Sequence, residues 1–265
     1  MTVALIITTY NRPDALGLVL ESVLQQSAMP DEVIIADDGS GRETAELIKT
    51  YKKKFHIPLK HVWQEDKGFR AAKIRNEGIK QADSKYIVLI DGDIILHREF
   101  VKSHVRMAQK NVFLQGHRAM LNAKLTQKAI EKRKIQFGFW DKGIGNRKNT
   151  IHNWTLAMYF SRLSRSRKGI ISCNFSFWRE DAYKVNGFNE DFTGWGKEDT
   201  DFGIRLLNAG LQRKDLRFCA VAYHLDHGNN NKHLESPQYK RNLAILEETI
   251  NGNKKFCTNG LVKKG

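Results

Sequence analysis

The sequence predicts an α/β protein built on a mostly parallel, doubly wound sheet that carries a basic insertion. Three observations lead there. Short β-rich apolar runs alternate with amphipathic helical stretches as far as residue 90, polar clusters follow the carboxyl ends of three of those runs, and the alternation fails from about residue 118. Apolar content of 41% with 10% aromatics supports a sizeable core, and 265 residues fit one large domain or one domain with an appended lobe.

Val3–Thr8 is an apolar run that a parallel sheet buries on both faces. Asn11-Arg12-Pro13 then opens a helix, with Asn11 expected as the N-cap and Pro13 in the first turn, where its missing N–H costs nothing. Leu16, Val19, Leu20, Val23 and Leu24 give that helix one apolar stripe. Val33–Ala36 is the second strand and ends in Asp37-Asp38-Gly39-Ser40. Helical 43–54, strand 59–64, helical 70–82 and strand 86–90 continue the alternation. Ligands of such sheets sit beyond the carboxyl ends of the strands, where Thr8–Arg12, Asp37–Ser40 and Asp91–Asp93 fall. Ile170–Trp178 reads as a strand returning to the core. Helix 179–186, helix 199–209, strand 217–223 and helix 238–250 complete the chain.

The formal charge of +15 is unevenly placed: Arg118 to Lys168 holds 13 Lys/Arg against Glu131 and Asp141. Phe137, Phe139, Trp140, Trp154, Tyr159 and Phe160 are interleaved with that charge, which suggests an insertion or a partly mobile lobe. A field of this sign attracts nucleic acid, anionic lipid headgroups or phosphorylated glycans; the plainer alternative is a solubilising face. No run of about 18 apolar residues is present to span a bilayer, and MTVALIITTYNRP shows no export signal. Cys173, Cys219 and Cys257 form neither a disulfide framework nor a zinc cluster, so a cytoplasmic setting is expected.

The chemistry lies in the clusters. Asp91-Gly92-Asp93 ends a buried strand with two carboxylates one residue apart. These can share one divalent cation, Mg²⁺ or Mn²⁺, and the diphosphate it bridges, or they can simply form a turn. Asp38 either caps the next helix or accepts from a nucleobase or ribose. Gly68–Asn76 opens a helix with Arg70, Lys73 and either Arg75 or Asn76 near one another, suited to phosphate or to an ordinary basic helix face. His224 and His227 follow strand 217–223 and can join Asp93 around Mn²⁺, whereas His233 looks less constrained. In GWGKEDTD, residues 194–201, the glycines would let Trp195 swing as a lid and stacking platform. Glu198 and Asp199 would sit at a helix N-terminus that keeps their pKa values low, placed to take a proton from a sugar hydroxyl. The plainer role for these acids and Asp201 is capping.

TTYNRP, DDGS, GFRAAKIRN, DGD and GWGKEDTD, in this order over about 1–116 and 170–228, resemble inverting family 2 glycosyltransferases of the GT-A fold. The likeness extends to chondroitin-polymerase-like bacterial enzymes and, through the last motif, to the β1,4-galactosyltransferases. The resemblance implies that Thr8, Tyr10 and Asp38 hold the uracil and ribose of a UDP-sugar donor, with Arg12 and Arg70 among the donor-binding basic groups. It implies Asp91 towards the ribose, Asp93 and His227 on the metal, and His224 at a position that varies. Asp199 matches the catalytic base, Glu198 the acceptor-binding acid and Trp195 the mobile-lid tryptophan. Lys197 and Thr200 depart from the motif, and 118–168 has no counterpart in it.

The implied division is a nucleotide-sugar-binding half at 1–116, a basic aromatic insertion at 117–169, an acceptor and catalytic half at 170–250 and a tail at 251–265. The acceptor is expected to be a glycan or glycolipid of lipopolysaccharide, lipooligosaccharide or capsule assembly. Trp154, Leu156, Tyr159, Phe160 and Leu163 among Arg162, Arg165, Arg167 and Lys168 suggest an interfacial helix, hence a peripheral site on the anionic inner membrane. Two rivals remain. A metal-dependent nucleotidyltransferase would release pyrophosphate instead of UDP. A nucleic-acid-binding protein would leave the acids at 91, 93 and 199 unexplained, so no nucleic-acid partner is expected.

Overall fold

The computed structural model describes residues 1–228 and 234–263. The first half follows the expected alternation: β1 (Val3–Thr9), α1 (Pro13–Leu24), β2 (Glu32–Asp37), α2 (Arg42–Lys52), β3 (Leu59–Trp63), α3 (Ala71–Gln81) and β4 (Tyr86–Asp91). Leu5, Ile7, Ile35 and Val88 pack against α1 and α2 on one face of the sheet, while Ile6, Ile34 and Leu89 pack against α3 on the other. Burial on both faces is why these strands read as unbroken apolar runs.

Helix α1 begins at Pro13 as expected, but Arg12 and not Asn11 is its N-cap. Asn11 takes the left-handed backbone, φ 45°. Its N–H donates to Ser40 Oγ and its Oδ1 accepts from Gly41 N–H, both at 2.9 Å, so it ties the loop after β1 to the loop after β2.

Beyond β4 come β5 (Ile94–Leu96), α4 (Phe100–Met107), β6 (Val112–Gln115), β7 (Ala119–Leu121), α5 (Ala123–Lys132) and β8 (Ile144–Gly145). A 3-10 turn at 147–150 leads to α6 (Trp154–Phe160) and β9 (Arg162–Ser164). Then follow β10 (Asn174–Trp178), α7 (Arg179–Lys184), α8 (Glu198–Asn208), β11 (Gln212–Asp215), β12 (Ala222–His224) and α9 (Pro237–Asn251). The main sheet has the order β3-β2-β1-β4-β10-β6-β11-β9, and a smaller one the order β5-β12-β7-β8. In the main sheet only β10 and β9 run against the other strands, so the sheet is mostly parallel.

The 117–169 segment supplies β7 and β8 to the small sheet and β9 to the edge of the main one, and Leu121, Leu125, Phe137 and Ile144 are buried in a shared core. It is threaded through both sheets of the fold. The strand expected at 217–223 is broken by left-handed backbone at Phe218 and Ala220, φ 56° and 48°. What remains is β12, which pairs with β5 in the register His224↔Ile94 and so brings His224 beside Asp93.

Candidate active site

The site lies beyond the carboxyl ends of β1, β2 and β4. Thr8 and Asp91 are register partners, and Gly92 N–H donates to Thr8 O at 2.6 Å. A Cβ on Gly92 would stand 2.9 Å from Thr8 O and Thr9 Oγ1, so only glycine lets the acidic turn close on β1. Thr8 Oγ1 is buried without a partner. Tyr10 OH donates to Asp66 Oδ2 at 2.9 Å on an exposed rim. Asp38 is buried; its carboxylate accepts from Gln64 Nε2 and from Arg70 N–H, the latter at 2.8 Å, and burial raises its pKa. It therefore braces the start of α3 while Asp37, held by Ser40 N–H and His61 Nε2, closes the turn after β2. Neither acid caps α2. The Arg70 side chain reaches Glu65 O.

Asp93, His224 and His227 bring one potential ligand atom each to within 4.8 Å of one another. Asp93 Oδ1 and His224 Nδ1 are buried with no hydrogen-bond partner. Burial, with Asp91 next in effect, pushes the Asp93 carboxyl up to about 6, while Arg12, at 3.5 Å, is the strongest opposing charge. Burial pushes His224 down to about 3, reinforced by Arg118, His227 and Arg12, which keeps the imidazole neutral with a lone pair to give. Unsatisfied buried donor atoms of mixed N/O type fit a borderline divalent cation. His233 lies outside the described residues.

A buried guanidinium joins the acids of the octapeptide to those of the DGD turn. Arg75 Nη1 donates to Glu198 Oε1 at 2.7 Å and Nη2 to Asp91 Oδ1 at 3.2 Å. Burial works against its charge, and Glu198, Asp91 and Asp199 more than offset it, raising the pKa further. Asp199 Oδ2 accepts from Ser172 N–H at 3.2 Å and Oδ1 from Thr200 N–H at 2.6 Å. Burial and the neighbouring Glu198 push Asp199 up to about 6 against the pull of Arg75. The low value expected at a helix N-terminus is not met, because desolvation and a like charge outweigh the dipole. Asp201 faces away from the pocket's acids and serves packing. It pairs with Arg205 at 2.8 Å and accepts from Thr249 Oγ1 at 2.7 Å, fastening α8 to α9.

The glycines around Trp195 have a structural reason. Gly194, Gly196 and Lys197 all take positive φ, at 70°, 99° and 81°. A Cβ on Gly194 or Gly196 would press on Gln238 or Tyr239 of α9. Asn242 Nδ2 donates to Thr193 O at 3.1 Å and Gly196 O at 2.9 Å. Trp195 is 48% exposed and stacks on Tyr239, centroids 5.9 Å apart. The segment is a tight turn presenting an aromatic face.

Sequence reasoning placed Arg75 only among phosphate candidates, and it overlooked Gln64, Arg118, Tyr239 and Asn242. The signal for Arg75 was available. It follows Ala71 by four residues on the buried side of α3, and a cation there demands carboxylates.

Residues 4–179 match glycosyl transferase family 2, and residues 153–228 match the family described as the N-terminal domain of galactosyltransferase. The matches run through 118–168, the segment without a counterpart in the motifs. Chondroitin synthase of Escherichia coli is 28% identical over 83% of this chain and 34% of its own length. Hyaluronan synthase of Pasteurella multocida is 30% identical over 93% of this chain and 27% of its own length. Validoxylamine A glucosyltransferase of Streptomyces hygroscopicus subsp. limoneus is 29% identical, over 78% and 48%. The chain thus spans between about a quarter and a half of these relatives. Among solved structures, S. aureus TarS 1–349 in complex with UDP-GlcNAc superposes with a TM-score of 0.63 at 18% identity, over 93% of this chain and 65% of that one. GalNAc-T7 with UDP, GalNAc and Mn²⁺ gives 0.68 at 13%, over 96% and 50%. The architecture is the GT-A fold, and the chain belongs to glycosyl transferase family 2.

Proposed function

We propose that the chain transfers a hexose or N-acetylhexosamine from a UDP-sugar to a hydroxyl of a glycan acceptor, with inversion at the anomeric carbon. The observation that carries this reading is the Arg75 bridge, which holds Asp91 of the DGD turn and Glu198, next to Asp199, on one guanidinium. The UDP-GlcNAc complex of TarS and the UDP and Mn²⁺ of GalNAc-T7 support the choice of donor.

Asp199 takes the proton of the attacking hydroxyl; a pKa of about 6 leaves it ionised at neutral pH yet basic enough to accept. Glu198 sits beside it at the acceptor end. Thr8, Tyr10, Asp38, Arg12 and Arg70 hold the nucleotide, and Trp195 on Tyr239 offers a face for a sugar ring. Asp93, His224 and His227 would hold Mn²⁺ or Mg²⁺, and such an ion supplies neutralisation of the charge on the departing diphosphate. Inversion follows from one base acting opposite one leaving group.

The setting we propose is lipopolysaccharide, lipooligosaccharide or capsule assembly at the cytoplasmic face of an anionic membrane. Among the described residues no helix is long and apolar enough to cross one. Instead Met158, Tyr159 and Phe160 of α6 and Leu163 of β9 are exposed beside Arg162 and Arg165. Neutralising Arg162, Arg165, Arg167 and Lys168 should weaken sedimentation with anionic vesicles, and unchanged sedimentation refutes the membrane site.

The transfer reading is tested with a panel of UDP-sugars and Mn²⁺, scoring UDP release by wild type and Asp199→Asn. Release that the substitution abolishes is expected. No release from any UDP-sugar, or pyrophosphate as the product, overturns it.

A further inference from the structure

β6 and β11 run parallel in a register that sets Phe113 beside Arg213 and Gln115 beside Asp215. Their carboxyl ends therefore reach the same edge of the main sheet as those of β1 and β4, but on the far side of β10. Basic side chains gather there. His117 lies two residues beyond β6, Arg213 within β11, Arg217 two residues beyond β11, and Lys148 in the 3-10 turn. The charges of Arg217, Lys148 and Arg213 act on the His117 imidazole, with Asp215 as the opposing charge. Burial first, then those cations, push His117 down to about 4, so the ring is neutral at pH 7.

The cluster is not closed within the protein. Arg213 is 6% exposed; its Nη1 donates to Lys168 O at 2.8 Å and its Nη2 to Asp215 Oδ2 at 3.1 Å, but its Nε is buried without a partner. His117 Nε2 is buried and unpartnered as well. Three cations face one carboxylate. Unmatched buried polar atoms beside surplus positive charge are costly unless a ligand completes them, and guanidinium groups suit carboxylate or phosphate oxygens.

Position selects the ligand. The loop at 168–172 touches both this cluster and the proposed base: Lys168 O accepts from Arg213, Ile170 O from Thr200 Oγ1, and Ser172 N–H donates to Asp199. The diphosphate of a donor belongs instead to the Asp91–Asp93 side of β10. We infer that His117, Lys148, Arg213 and Arg217 form a subsite for an acidic group, carboxylate or phosphate, on the acceptor glycan. The inference rests on the glycosyl-transfer reading for the word acceptor; the binding it claims is independent of catalysis.

The test measures equilibrium binding of three oligosaccharides of equal length, one neutral, one carboxylated and one phosphorylated, to the full chain and to Lys148→Gln/Arg217→Gln. Those positions are chosen because they leave the buried Arg213 in place. Wild type should bind a charged oligosaccharide about tenfold more tightly than the neutral one, equivalent to about 1.4 kcal/mol, with the preference falling as salt rises. The better of the two charged ligands identifies the acidic group. The double variant should lose the preference and keep its UDP release. Equal binding of all three by wild type, or a preference that survives in the double variant, overturns the inference. Absence of UDP release in the wild type sinks the transfer reading alone.

Discussion

Replacing Arg75 by methionine tests how the two sides of the pocket are joined. Arg75 and Glu198 are 6% and 9% exposed at their side chains and 2.7 Å apart, whereas Asp91, at 3.2 Å, is 34% exposed. Removing the guanidinium leaves the Glu198 carboxylate buried without a counter-charge, which costs about 3–5 kcal/mol. Asp91 keeps its water, so its share is at most about 1 kcal/mol. For a chain of this size the melting point should fall by roughly 6–20 °C. Urea denaturation gives the free energy directly. Arg75→Met/Glu198→Leu should regain most of the loss, because no unpaired charge remains, while UDP release stays absent in both variants. A single variant that loses under about 1 kcal/mol, or a double variant no more stable than the single, refutes the buried-pair account.

Transfer by the wild type should rise with pH through about 6, as Asp199 gives up its proton. A folded pKa above the unfolded value means that Asp199 favours the fold at low pH and that this contribution is lost as pH climbs to about 6. Asp199→Asn should therefore be inactive yet at least as stable as wild type at neutral pH, and a rate limb unchanged by the substitution counts against the base. Mn²⁺ at a hundredfold excess over its dissociation constant should stabilise the wild type by about 2.7 kcal/mol; His224→Ala should lose most of that shift in a melting experiment, and an undiminished shift places the ion elsewhere. A Cβ on Gly39 would lie 2.6 Å from Asp66 Cα at a φ of 101°, so Gly39→Ala should cost about 2 kcal/mol or more by urea midpoint. Asn242→Ala frees the Thr193 and Gly196 carbonyls and should raise the acceptor KM while sparing background UDP release; an unchanged KM would separate the Trp195 turn from acceptor binding.

Much of the fold was legible because β1, β2 and β4 are buried on both faces and punctuated by helices with clear apolar stripes. The same reasoning failed at β11, whose residues Gln212–Asp215 read QRKD. Arg213 is buried there through its bond to Lys168 O, which no local pattern announces. It failed again at 217–223, where an apolar run hides two left-handed residues. The order of the motifs located the acids at one sheet edge. What stayed hidden was the partner of each. Arg75 and Glu198 are 123 residues apart, and the split of labour between Asp199 and Asp201 depends on which side of α8 faces α9.

Strand β10 fills the gap between β4 and β6 and runs against both. During synthesis, β1 to β4 emerge and can pair long before their closing neighbour leaves the ribosome, so β4 waits with one row of amides and carbonyls bare. A chain stalled before residue 174 would expose that edge, with Ile87 and Leu89 still short of the aromatic cover from Phe175 and Phe177. Productive assembly is thus a race between the late strand and self-association, and the outcome depends on translation speed and chaperone supply.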